Sequence, residues 1–122
     1  TTNTPGAKSL GVHQFLQRMV ADCYEPSAQG TFTKGLNKTD ELAQQHYSKS
    51  FTACDAAQRN DLLTKLAADS ATKGFYQMVK GLTIRGYMTS EYVMTNLTHY
   101  EMAPGRYLGC VPVAAKAVSE KK

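Results

Sequence analysis

Long apolar runs are missing from this chain of 122 residues. None approaches the roughly 18 consecutive apolar residues that a membrane-crossing helix needs, so no span is expected in it. Stretches alternating apolar and polar residues are missing too, and nothing points to a sheet. Excess charge of one sign is small: 14 Lys and Arg against 10 Asp and Glu leave +4. Part of that excess sits at Lys116, Lys121 and Lys122. Lys8, Arg18, Lys34, Lys49, Arg59, Lys65 and Lys80 are scattered, whereas a nucleic-acid face gathers its cations beside stacking aromatics. Nucleic acid is not an expected partner.

Catalytic motifs are equally sparse. There is no G-x-S-x-G elbow, no Walker loop, and no G-x-G-x-x-G after a strand. His13, His46 and His99 form no close His-x-x-x-His pair, so no metal set is expected. The acidic residues are dispersed, with Glu91 and Glu101 alone in the closing stretch. Cysteine is limited to Cys23, Cys54 and Cys110. Without a C-x-x-C, thioredoxin-like redox chemistry and c-type haem attachment are poorly supported. An odd count allows at most one internal disulfide and leaves a thiol free or available to a partner. These absences point to a binding or accessory protein, built as a single domain over residues 1–122.

What the chain does contain is helix. Residues 12–24, VHQFLQRMVADCY, set Phe15, Leu16, Met19, Val20 and Cys23 on one stripe, with Cys23 expected to face inward. Pro26 closes that helix. Residues 28–51 keep a weaker spacing through Phe32, Leu36, Ala43 and Tyr47. Gly30 and Gly35 each cost about 1 kcal/mol in a helix interior. The expectation is one helix with a soft beginning, or two joined near Asn37. Asp55, Ala56 and Gln58 resemble a capping box ahead of Leu62, Leu63, Leu66 and Ala67. Phe75, Met78, Val79 and Leu82 give a fourth stripe running to Gly86, which is suited to end it. The fold class expected is all-α, a small antiparallel bundle of about four helices over 10–88. A polar linker (1–9) precedes it.

The stretch GYMTSEYVMTNLTHYEMAPGRYLGCVPV, residues 86–113, differs from the rest. Four of the seven tyrosines fall in it, including Tyr87 and Tyr100. Thr89 or Ser90 can cap a short turn through Asn96. Pro104-Gly105 fits the centre of a type II turn, and Pro112 holds Val111 extended. Long irregular segments of this kind are usually functional or disordered. Tyr and Arg are frequent at interface centres. The tail, 89–113, therefore either meets a partner or covers the chain's own bundle; a charged end (114–122) follows.

The motifs GYMTSE and YEMAPGRYLGCVPV resemble the closing signature of the gluconate 2-dehydrogenase subunit 3 family, whose members commonly read G-Y-F-T-S-E and then P-G-x-Y-x-G-C-V-P. The stretches TPGAKSLGVHQFLQRMVADCY and FTACDAAQRNDLLTKL are similar to its first and third helices, so the resemblance spans about residues 4–113. Met88 stands where Phe is usual, Cys23 where Trp is frequent, and Cys54 where an aliphatic residue is expected. Cys110 is left as the cysteine matching the family motif.

The resemblance implies a non-catalytic small subunit that stabilises and escorts a periplasmic, FAD-dependent sugar or polyol dehydrogenase. FAD is then expected in a large flavoprotein partner of the glucose-methanol-choline type, with no cofactor in this chain. A multihaem cytochrome c is the further partner implied. Family members often carry a twin-arginine leader; none is visible here, where Thr1 opens a polar stretch that would suit a linker behind a processed leader. The alternative is a stand-alone periplasmic or lipoprotein-like binding domain of the same fold. The interface expected lies on Tyr87, Thr89, Ser90, Glu91, Tyr100, Pro104, Gly105, Arg106, Tyr107, Gly109, Cys110, Val111 and Pro112. In an oxidising compartment Cys110 is the candidate for a disulfide to the large subunit. A buried free thiol, or an internal bond with Cys54 or Cys23, are its competitors.

Overall fold

The computed structural model describes residues 3–105 and Cys110. It is helical throughout, with α1 over Val12–Cys23, α2 over Pro26–Tyr47, α3 over Ala56–Ala68, α4 over Lys73–Met88 and a short α5 over Glu91–Asn96. A 3-10 turn at Phe51–Ala53 links α2 to α3. No strand occurs among the described residues. The all-α bundle expected from the periodicity is the fold observed.

In α1 the buried positions are Val12, Leu16 and Val20, one every fourth residue, with Phe15 and Met19 half-covered beside them. Cys23, expected on that stripe, is exposed. It occupies the last helical position, after which Tyr24 turns extended and leaves nothing packed over the thiol. The helix end is closed from the next element. The Gln29 side-chain amide lies 3.1, 3.1 and 3.0 Å from the carbonyls of Val20, Ala21 and Tyr24, sharing its two hydrogens among carbonyls that have no partner in the helix itself.

α2 is one continuous helix, with neither a break near Asn37 nor a frayed start. Pro26 holds its first turn, where a missing N–H costs nothing. Gly35 is buried, and a Cβ there would fall on the ring of Phe75 in α4. The glycine that looked like a weakness is what lets α2 and α4 approach. Ser48 ends α2 in the left-handed region (φ 52°), its N–H donating to Gln44 O at 2.9 Å.

The 3-10 turn is held from both sides. Asp40 Oδ1 accepts from the Phe51 N–H at 2.9 Å. Arg59 of α3 donates to the carbonyls of Phe51 and Thr52 at 3.3 and 2.8 Å. The capping box of α3 is formed as expected: Asp55 Oδ1 accepts from Gln58 N–H at 2.8 Å, and Gln58 Oε1 accepts from Asp55 N–H at 3.1 Å. Leu62 and Leu66 are its buried face, whereas Leu63 is exposed.

α4 is the central helix and packs on α1, α2 and α3. It runs through Gly86 to Met88, so Gly86 does not end it. Gly86 is helical and buried, and a Cβ there would lie 2.6 Å from Cδ1 of Phe15. The residue serves a close crossing of α1 and α4. Buried side chains gather in two clusters rather than one: Val12, Leu16, Val20 and Leu82 toward α1, and Ala43, Cys54 and Leu62 toward the α2–α3 end.

Candidate functional site

An apolar groove of about 600 Å³ opens on the surface of the bundle. Leu16 and Gln17 of α1 and Leu63 and Leu66 of α3 contribute to its walls, with Phe32 and Leu36 of α2. α4 presents Tyr76, Lys80, Thr83 and Ile84 to it. The Phe32 and Phe75 rings meet at 5.9 Å with their planes tilted by 57°. Leu36, Leu63 and Ile84 remain 50%, 38% and 55% exposed, so three large aliphatic side chains from three helices face water around one depression. Scattered apolar residues need no explanation, but a contiguous set marks an interaction surface. Among the described lining residues His13 and Lys80 carry the basic groups, and no carboxylate is present. Lys80 Nζ sits 5.9 Å from the centre of the Tyr76 ring. Such a lining can bind an apolar surface.

Sequence reasoning missed this groove. The available signal was Ile84, which lies about 200° round α4 from Leu82 and so outside its stripe; Leu63, read as part of the α3 face, is the other residue left open. A helix with an apolar face wider than its own bundle covers has a second surface to fill.

The residues assigned to the tail divide into two groups. Tyr87, Thr89 and Ser90 are used within the chain. Tyr87 Oη donates to Pro5 O at 3.2 Å and pins the N-terminal segment across the bundle. Thr89 Oγ1 donates to Arg85 O at 2.8 Å at the end of α4. Ser90 caps α5, its Oγ donating to Tyr87 O at 2.7 Å and accepting from Val93 N–H at 3.4 Å. Val93 is fully buried, so α5 is docked on the bundle. Glu91 is exposed in the first turn of α5.

Beyond α5 the character changes. Tyr100, Pro104, Gly105 and Cys110 are exposed, and Met102 is 87% exposed. Gly105 does not take the positive φ that a type II turn at Pro104-Gly105 requires; among the described glycines Gly11 is the one that does, ahead of α1. Arg106, Tyr107, Gly109, Val111 and Pro112 lie outside the described residues.

Among the described residues one ionisable cluster is perturbed, outside the groove lining. Asp61 Oδ2 accepts from Lys65 Nζ and from Tyr47 Oη, each at 2.8 Å. Those two bonds, the lysine's first, hold the Asp61 carboxyl below the usual carboxylate range. The same bond to Asp61 raises the Tyr47 hydroxyl above its ordinary value. Both groups are on the surface, and the cluster ties the end of α2 to α3.

A family model described as Gluconate 2-dehydrogenase subunit 3 matches residues 1–105. The match takes in all five helices and the GYMTSE motif and stops short of the Gly-Cys-Val-Pro motif around Cys110. No curated protein and no solved structure matches the chain.

Proposed function

This chain belongs to the gluconate 2-dehydrogenase subunit 3 family, and from that membership we propose that it is the non-catalytic small subunit of a periplasmic, FAD-dependent sugar or polyol dehydrogenase. Its work is to stabilise and escort the large flavoprotein, which carries FAD and performs the oxidation. A cytochrome c takes the electrons onward from the flavoprotein. The observation carrying this reading is the family match across the whole described bundle. The exposed aliphatic rim of the groove and the exposed Tyr100 and Met102 support it, because a partner-bound subunit presents apolar surface that a lone domain has no use for.

Purification of the native complex tests the reading. A large flavoprotein should travel with this chain in fixed ratio, and sugar-dependent reduction of a dye acceptor should need that flavoprotein. Oxidation of sugars by the purified chain alone would overturn it, as would its purification from the native host with no flavoprotein bound.

A further inference from the structure

α1 and α3 each pack on α2 and α4 but scarcely on one another. The groove is bounded on one side by α1 and on the other by α3, so it follows the seam those two helices leave open. One more helix laid along that seam would complete the packing of the bundle. α5 does not supply it, since α5 packs on α4 and buries Val93. An occupant has to touch Leu36, Leu63 and Ile84 together, on three separate helices. An amphipathic helix meets that demand by presenting apolar residues at three- and four-residue spacing. The charge of the site selects among such helices. Lys80 and His13 face the groove with no carboxylate among its described lining residues, so an acidic residue on the occupant would be paired and a basic one repelled.

Resting on the accessory-subunit reading above, we propose that this groove receives an amphipathic helix of the large subunit, its apolar face inward and an Asp or Glu set against Lys80. The docking surface of the chain then includes the α1–α3 seam as well as the tail. Leu36, Leu63 and Ile84 are its apolar contacts, and Lys80 fixes the orientation of the incoming helix.

Photo-crosslinking in the native complex tests this directly. A benzophenone amino acid at position 36 or 63 should crosslink to one peptide of the large subunit, with apolar residues at helical spacing and an acidic residue among them. Ile84→Glu and Lys80→Glu, both at exposed helical positions, should each weaken the large subunit's binding by about tenfold or more. The chain's own melting temperature should hold. Reversing the charge of the crosslinked acid should restore binding to Lys80→Glu. Crosslinks to residues 106–122 of the same chain, to a second copy or to a lipid would overturn the proposal. Unchanged binding by both variants would overturn it too, while leaving the accessory role standing. Absence of any complex with the unaltered chain removes both.

Discussion

Gly35 of α2 faces the ring of Phe75 in α4 so closely that a Cβ on residue 35 would overlap the ring atoms. The Phe75 side chain is buried against Phe32 on the inner wall of the groove. Gly35→Ala gains helix propensity of about 1 kcal/mol. It must also displace the Phe75 ring or part α2 from α4, an overpacking cost of about 1–3 kcal/mol. The net expected is a lower melting temperature. Gly30, five residues earlier in the same helix, has nothing near its missing Cβ. Gly30→Ala should therefore raise the melting temperature. Thermal denaturation of the two variants side by side is the check, and a stabilised Gly35→Ala would refute the close approach.

Leu66 is buried at the junction of α3 with the groove floor. Leu66→Ala should cost about 2–5 kcal/mol, the range for a buried leucine whose surroundings collapse incompletely. Leu63→Ala, on the exposed side of the same helix, should cost much less in the isolated chain. Urea denaturation of both measures the contrast. Equal losses would mean that the groove closes in solution.

The capping box makes a local prediction. Asp55→Ala should cost about 0.5–2 kcal/mol, and Asp55→Asn much less, because asparagine still offers an oxygen to the Gln58 N–H. Helical content of α3 followed by amide exchange would show its first turn opening in the alanine variant alone.

Local signals of this kind were legible in the sequence. Asp55 with Gln58 announces a helix start because donor and acceptor lie three residues apart; for α5 the sequence offered Thr89 or Ser90, and Ser90 is the cap. The stripe of Leu16 and Val20 was readable for a similar reason. Gly35 and Gly86 were misread because their purpose sits on another helix: each glycine looked like a breaker, and each is a crossing point. Cys23 was misplaced because angular position on a stripe does not say whether the stripe is still covered at the helix end. The groove was hidden for a related reason. Its existence depends on α1 and α3 failing to meet, and periodicity within either helix carries no information about that.

The Tyr47–Asp61–Lys65 cluster should make stability depend on acid. The folded-state carboxyl is held below its unfolded value, so its contribution is present above the ordinary carboxylate range. It is lost as pH falls through the depressed value. Tyr47 works in the opposite sense. Its raised hydroxyl contributes below the ordinary tyrosine value and loses that contribution as pH rises through the raised one. Asp61→Asn should lower the melting temperature at neutral pH and lose its difference from the unaltered chain in acid. Being exposed, the cluster should also weaken with added salt. Parallel melting curves at every pH would rule out the linkage.

The cysteines give the last prediction, and the structure changes its terms. Cys54 is buried, its Sγ donating to Ser50 O at 3.4 Å, and is poorly placed to reach a partner. Cys110 is exposed, which suits a bond to the large subunit better than a buried thiol. Cys23, which the helical stripe had turned inward, is exposed too and becomes a competitor. A disulfide also needs an oxidising compartment to persist, so the bond and the proposed periplasmic location stand together. Non-reducing electrophoresis of the native complex should show a band at the summed mass of the two subunits. Cys110→Ser should abolish that band and Cys23→Ser should leave it. Loss of the band in Cys23→Ser alone would move the bond to the end of α1. Separate subunits without reductant would sink it altogether.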